Sequence, residues 1–169
     1  MRNPIVEADL SVIISAALDW ESFAGKTILI SGANGFLPAY IVESLLFLNE
    51  TAQYQPVKVI ALVRNKERAW DRFSFYRGRS DLDLIAQDVC NPIDVDGPVD
   101  FIIHAASQAS PKYYGKDPVG TLSANIIGTY NLLELAREKG SEAFLFFSSG
   151  EVYGEVNEHN IPTKENVYG

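Results

Sequence analysis

The stretch that most restricts what this chain can become is Lys26 to Pro38, Lys-Thr-Ile-Leu-Ile-Ser-Gly-Ala-Asn-Gly-Phe-Leu-Pro. Thr27 to Ile30 is a short apolar run with the composition of a buried strand, Gly32 and Gly35 make a tight turn, and Phe36 to Phe47 has helical spacing. Glycine has no Cβ, so backbone at such a turn can come close to a bulky anion. The unpaired N–H groups of the new helix, and its dipole, favour negative charge at the same place. A dinucleotide pyrophosphate suits that description, and so does a plain strand-to-helix connection with nothing bound; the rest of the chain has to decide.

Beyond Pro38 the pattern is regular. Leu37, Ile41, Leu45 and Leu48 mark one helical face, and Val57 to Val63 is a second strand, apolar except for Lys58, as expected where a sheet is covered on both sides. Asn65 to Arg72 reads as a charged helix, Phe73 to Asp81 as irregular chain, Leu82 to Ala86 as a third strand and Asn91 to Pro98 as a loop. Val99 to His104 is a fourth strand, followed by a loop from Ala105 to Gly115. Asp117-Pro118 combines a capping side chain with proline at the first helical position and predicts a helix to about Lys139, before a fifth strand from Ala143 to Ser148. At the N-terminus, Leu10 to Leu18 reads as a helix docked on the main domain or on a second subunit. Glu7, Asp9, Asp19 and Glu21 flank it where a secretion signal would carry positive charge. The expected organisation is an N-terminal helical extension over residues 1–24 and an α/β, Rossmann-type doubly wound parallel sheet over 25–169, with ligands beyond the carboxyl ends of the strands.

Composition narrows the partners. At 169 residues and 47% hydrophobic the chain can bury one sizeable core. A formal charge of -8 argues against a nucleic-acid groove or an anionic membrane surface, so any phosphate site must be local and built from backbone. The single Cys90 excludes an internal disulfide framework and suits a reducing cytoplasm, and it reads as a small packing residue. No apolar run approaches the roughly 18 residues that span a bilayer. His104 and His159 lack ligand-like neighbours, so no metal site is expected.

The second strand should carry the residue that selects the cofactor's ribose. An acidic residue there accepts from a 2′-hydroxyl, and a basic one accommodates a 2′-phosphate. This chain has Val63-Arg64-Asn65, which raises NADP without excluding NAD, since an arginine at a strand end is also an ordinary solvated charge. Asp88 could accept from the adenine amino group or simply cap the turn from Val89 to Asn91.

At Ser148 to Gly154, Ser-Ser-Gly-Glu-Val-Tyr-Gly, the pattern becomes specific. Taken with Gly32-Ala33-Asn34-Gly35-Phe36-Leu37, Asp88-Val89, His104-Ala105-Ala106 and Asn125 with Gly128-Thr129, it resembles the nucleotide-binding half of the extended short-chain dehydrogenase/reductases, the sugar-nucleotide epimerases, dehydratases and decarboxylases. The run His104 to Tyr114, with its Ala-Ser-Pro segment, looks most like UDP-glucuronate decarboxylases. The resemblance implies NAD or NADP held by Gly32, Asn34, Gly35, Phe36, Leu37, Arg64, Asp88, Val89, Ala105, Ala106, Asn125 and Ser148. It implies Ser149 and Glu151 as catalytic groups, Pro111 and Tyr114 beside a nucleotide-sugar substrate, and a cytoplasmic enzyme that is a homodimer at full length. His104 reads as a core histidine.

Three departures qualify the resemblance. Pro38 replaces the family's third glycine, which preserves the helix start but puts close helix-to-strand packing in question. Ser149 is followed by Gly150 where dehydratases have an aspartate, which tilts the reading from dehydration toward decarboxylation or epimerisation. The family's Tyr-x-x-x-Lys pair is missing; Tyr168-Gly169 imitates only its beginning. The expectation is therefore a Rossmann sheet truncated before its substrate lobe, with a non-catalytic dinucleotide-binding module as the alternative.

Overall fold

The computed structural model describes residues 2–108 and 110–167, without the side chains of Pro111 and Tyr113. Its strands are β1 (Thr27–Ser31), β2 (Lys58–Val63), β3 (Leu82–Ala86), β4 (Phe101–His104) and β5 (Ala143–Phe146). Its helices are α1 (Pro4–Ile14), α2 (Phe36–Thr51), α3 (Lys66–Arg72), the single turn α4 (Pro111–Tyr114) and α5 (Pro118–Lys139). The strands form one parallel sheet in the order β3-β2-β1-β4-β5. That is the doubly wound arrangement, and its direction of winding reverses between β1 and β4.

Alternation along the strands divides the interior in two. Ile28, Ile30, Val59, Ala61 and Val63 face α2 and α3 and pack with Val42, Leu45, Leu46, Phe73 and Tyr76. Leu29, Ile60, Leu62 and Ile102 face the other way, onto Leu132 and Leu135 of α5 and the loop residues Val89, Val95 and Val99. Gly128 lets α5 lie this close, because a Cβ there would stand 2.7 Å from Val89 Cγ1. The Asp117 carboxylate accepts from the Gly120 N–H (2.9 Å) and Pro118 opens the helix, as its sequence predicts.

Several local expectations are corrected. The N-terminal helix is not Leu10 to Leu18: Asn3 caps it by accepting from the Ile5 N–H (2.9 Å), Pro4 starts it, and it ends at Ile14. It docks on the domain through Val6 and Leu10. Arg2 fixes its start, with the guanidinium on both oxygens of Glu50 (2.7 and 2.8 Å) and over the rings of Phe47 and Phe75. Of the expected face of α2, Leu45 and Leu48 are buried and Ile41 packs partly against the core, but Leu37 is 59% exposed, and Ala39, Val42 and Leu46 widen the contact. Pro38 is buried in the first turn, where its missing N–H would have had no helical acceptor, and α2 still packs on the sheet. The stretch Phe73 to Asp81 is more ordered than its composition suggests, since a short turn, Ser74–Tyr76, buries Phe73 and Tyr76 completely. The loop after β4 contains α4, and the fifth strand stops at Phe146, two residues early.

Candidate dinucleotide site

A cleft of about 580 Å³ opens at the carboxyl ends of β1, β2, β3 and β4, over the point where the winding reverses. Gly32 and Gly35 form its floor. Gly32 has φ +64°, and a Cβ there would meet the Ala105 carbonyl oxygen at 2.8 Å and Ala106 Cα at 2.9 Å, so only glycine allows the turn to sit against the loop after β4. The Gly35 N–H closes the turn onto the Gly32 carbonyl (2.8 Å). No side chain caps α2, Pro38 has no N–H, and those of Phe36 and Leu37 have no acceptor among the described residues. Phe36 and Leu37 themselves do not line the cleft and their side chains are exposed; they follow directly on Gly35, which does line it, and donors at a helix start suit a pyrophosphate.

Asn34, Arg64, Asp88, Val89, Ala105 and Ala106, all expected cofactor residues, line the same cleft. Parallel register explains the gathering: Ser31 lies opposite both Leu62 and His104, and Val63 opposite Ala86, so the residues after each strand emerge side by side. Asp88 is a turn aspartate, its Oδ1 accepting from the Cys90 N–H (2.9 Å), and its presence in the lining leaves the carboxylate facing the cleft as well. Cys90 packs against the α5-side core. Burial, with the Asp88 hydrogen bond second, raises its thiol pKa and keeps it protonated.

A feature that the sequence alone does not reveal lies beneath this wall. Ser31 Oγ stands 2.7 Å from His104 Nδ1 and accepts from the N–H groups of Ala105 (3.1 Å) and Ala106 (3.2 Å). With two donors already directed at it, the hydroxyl sends its own hydrogen to Nδ1, which places the imidazole proton on Nε2. Nε2 is buried with no hydrogen-bond partner among the described residues. Burial lowers the His104 pKa below its ordinary 6.5, and the Ala124 carbonyl offsets part of that. His104 is thus a neutral core histidine, as expected, but one that holds the hydroxyl on which the loop after β4 hangs. The available signal was the register, which pairs a serine with a histidine across adjacent parallel strands.

The other expected residues lie apart from this cleft. Ser148, Ser149 and Glu151 lie beyond β5, are exposed and do not line it; Ser149 Oγ accepts from the Glu151 N–H at 3.3 Å. Asn125, half-buried on α5, is also absent from the lining, and its side chain donates to the Thr121 carbonyl (3.0 Å). Tyr114 is 51% exposed on α4. The side chain of Pro111, and Tyr168 and Gly169, lie outside the described residues. Among the described residues there is no grouping of histidine, cysteine and carboxylates that could hold a metal ion, and no helix long and apolar enough to cross a membrane.

A parallel sheet in this order, with a glycine turn and free helix-start amides at its switch point, defines a Rossmann domain built for a dinucleotide. The chain belongs to the NAD dependent epimerase/dehydratase family, whose model matches residues 28–168. It is 34% identical over 142 residues to UDP-glucuronic acid decarboxylase 6 of Arabidopsis thaliana, covering 84% of this chain and 38% of the relative. It is equally similar, 34% over 144 residues, to UDP-glucuronic acid decarboxylase 1 of Danio rerio, covering 85% of this chain and 32% of that protein. The chain therefore spans well under half the length of these curated relatives. Among solved structures, a UDP-N-acetylglucosamine 4-epimerase from Methanobrevibacter ruminantium shares the fold at TM-score 0.68 and 24% identity, over 85% of this chain and 43% of that one. The UDP-glucose 4-epimerase of Thermus thermophilus, solved with NAD, matches at TM-score 0.59 and 28% identity, over 78% of this chain and 40% of that one.

Proposed function

We propose that this chain is the dinucleotide-binding part of a nucleotide-sugar enzyme that oxidises C4 of a UDP-uronic acid and then releases its carboxylate as CO₂. The observation that carries the reading is the cleft at the switch point, with the Gly32–Gly35 turn at one wall, just before the start of α2, and a polar strand-end lining at the other. Similarity to relatives named as UDP-glucuronic acid decarboxylases favours that reaction over the epimerisation performed by the structural neighbours. Gly150, which cannot serve as an acid, weighs against dehydration.

In this reading the amides of Phe36 and Leu37 and the Gly32–Gly35 turn hold the pyrophosphate, Asp88 accepts from the adenine amino group, and Val89, Ala105 and Ala106 form the walls around the adenosine and ribose. A bound nicotinamide supplies reversible hydride acceptance at C4 of the sugar. The Ser149 hydroxyl donates to the C4 oxygen, and Glu151 orients water or takes a proton; Ser148 and Asn125 border the nicotinamide end, and Pro111 and Tyr114 the sugar carboxylate. The C4 ketone is β to that carboxylate, so the C–C bond can break with its electron pair delocalised onto the ketone oxygen as an enolate. Protonation at C5 and return of the hydride complete a pentose with no net redox change. The proton of the C4 hydroxyl needs a base, which the family takes from a Tyr-x-x-x-Lys pair that this sequence does not contain.

Incubating the natural full-length protein with UDP-glucuronate tests the proposal. UDP-pentose and CO₂ are expected; cofactor bound with neither UDP-pentose nor its 4-keto precursor formed would reject decarboxylation. A second reading, a dinucleotide-binding module without turnover, is favoured by the position of Ser149 and Glu151 outside the cleft. It predicts tight dinucleotide binding and no reaction with any nucleotide sugar. A homodimer and a cytoplasmic location accompany the enzyme reading, and sedimentation of the natural protein and fractionation of its cells test them.

A further inference from the structure

We infer that the β2 end of the cleft is a 2′-phosphate subsite formed by Arg64 and Arg68, so that the dinucleotide preferred by this chain is NADP(H). The inference rests on the dinucleotide reading above and departs from the structural neighbour solved with NAD. The adenosine ribose of a dinucleotide in this fold lies beside the residue that comes after the second strand, where an acceptor selects the free 2′-hydroxyl and a cation the 2′-phosphate. That residue is Arg64, and it lines the cleft. Asn65 comes next and spends its Oδ1 capping α3, accepting from the Arg68 N–H at 2.8 Å. This cap sets the first turn of α3 so that Arg68 returns to the same wall, and Asn65 and Arg68 are both in the lining.

Three further facts single out this pair. Neither arginine makes an ion pair among the described residues, although most of the other arginines do. Glu67 and Asp71, the carboxylates carried by α3, are not in the lining. Of the two carboxylates that are, Asp117 is held by the Gly120 N–H and the Gln108 side chain, and Asp88, with one oxygen on the Cys90 N–H, follows the third strand rather than the second and is the acceptor assigned above to the adenine amino group. A chain with net charge -8 thus presents two guanidinium groups, without an ion pair among the described residues, where a ribose 2′ position would fall. Guanidinium is suited to a phosphate because its planar N–H groups match two oxygens at once.

Isothermal calorimetry on the 169-residue chain with NADP⁺, NAD⁺ and 2′,5′-ADP tests the subsite. NADP⁺ is expected to bind at least about tenfold more tightly than NAD⁺, with 2′,5′-ADP also binding and its affinity falling as salt is raised. Arg64→Gln and Arg68→Gln should each reduce the NADP⁺/NAD⁺ affinity ratio by roughly tenfold; both side chains are exposed, and circular dichroism verifies that the fold is kept. NAD⁺ binding as well as or better than NADP⁺ overturns the subsite and leaves the dinucleotide reading standing. An unchanged ratio in both variants overturns the role of the arginines. Failure of all three ligands to bind overturns the dinucleotide reading itself, and the subsite with it.

Discussion

Two serines stand at corresponding ends of two strands in this sheet, and their surroundings differ completely. Ser31 ends β1, where every residue is buried, and its hydroxyl joins His104 to two backbone amides of the cleft wall. Ser149 lies just past β5, whose residues are exposed or half-buried, and among the described residues its hydroxyl bonds only to the amide two residues on. On β5 and α5, Leu145, Phe146, Ile126, Tyr130 and Leu133 leave apolar surface exposed. The dinucleotide end of the sheet is thus organised by a closed interior, whereas the end expected to perform chemistry hangs from a strand that the described residues cover on neither its outer edge nor much of its faces. The candidate cleft therefore rests on buried strands, whereas the segment carrying Ser149 and Glu151 does not.

The sharpest way to break this contrast is to cut the two strands equally. Leu29→Ala in β1 removes a side chain with no exposed surface and should lower the unfolding free energy by about 2–5 kcal/mol, while Leu145→Ala in β5, 53% exposed, should change it by about 0.5 kcal/mol or less. Urea denaturation of both variants measures the difference. Equal losses would mean that β5 is covered in solution, and the contrast would fail. Next in size is Ser31→Ala. It strips the acceptor from the Ala105 and Ala106 amides and the donor from His104 Nδ1, a cost of about 1–3 kcal/mol with weakened dinucleotide binding, because the loop that walls the cleft loses its anchor.

How much of this could be read in the sequence obeys the same division. Strand positions, the parallel α/β class and the clustering of Gly32, Asn34, Gly35, Arg64, Asp88, Ala105 and Ala106 are local signals of period and turn chemistry, and they survive into the structure because buried parallel strands leave little freedom of register. The Ser31–His104 link was not legible in that way, since 73 residues separate its partners and only the β1–β4 pairing brings them together. On α2 the expected face holds at Ile41, Leu45 and Leu48 and fails at Leu37, for a different reason. Its residues are apolar almost all round, so spacing alone does not say which side meets the sheet, and Leu37 ends in solvent. The start of α1 was legible in Asn3-Pro4, but the apolar run Leu10 to Leu18 drew attention away from its cap.

The histidine offers a smaller and more diagnostic effect. Folding lowers the His104 pKa from 6.5, chiefly by burial, so the unfolded chain takes up the proton first as pH falls. Its contribution is therefore fully present above about pH 6.5 and is lost as pH falls from there toward the lowered native value, with a slope of at most about 1.4 kcal/mol per pH unit. His104→Gln keeps an amide near Ser31 but cannot titrate. It should flatten that part of the stability–pH curve, measured as urea midpoints across the range, and an unchanged slope would show that the imidazole is not the group responsible.

The smallest expected effect is on Ser149→Ala, and it is the one that decides what the contrast means. The serine is exposed and its hydroxyl accepts a single long bond from the Glu151 amide, so removing it should alter stability by about 0.5 kcal/mol or less and leave dinucleotide affinity as it was. If the enzyme reading holds, the same change in the natural full-length protein should nonetheless cut turnover of the nucleotide sugar by about a hundredfold or more, because the hydroxyl would act on the C4 oxygen as charge moves there. A stability loss equal to that of Ser31→Ala would make Ser149 a structural residue like its counterpart. Unchanged turnover would remove it from the chemistry and leave the cleft, with its backbone amides and its arginines, as the only functional part of the molecule supported by its geometry.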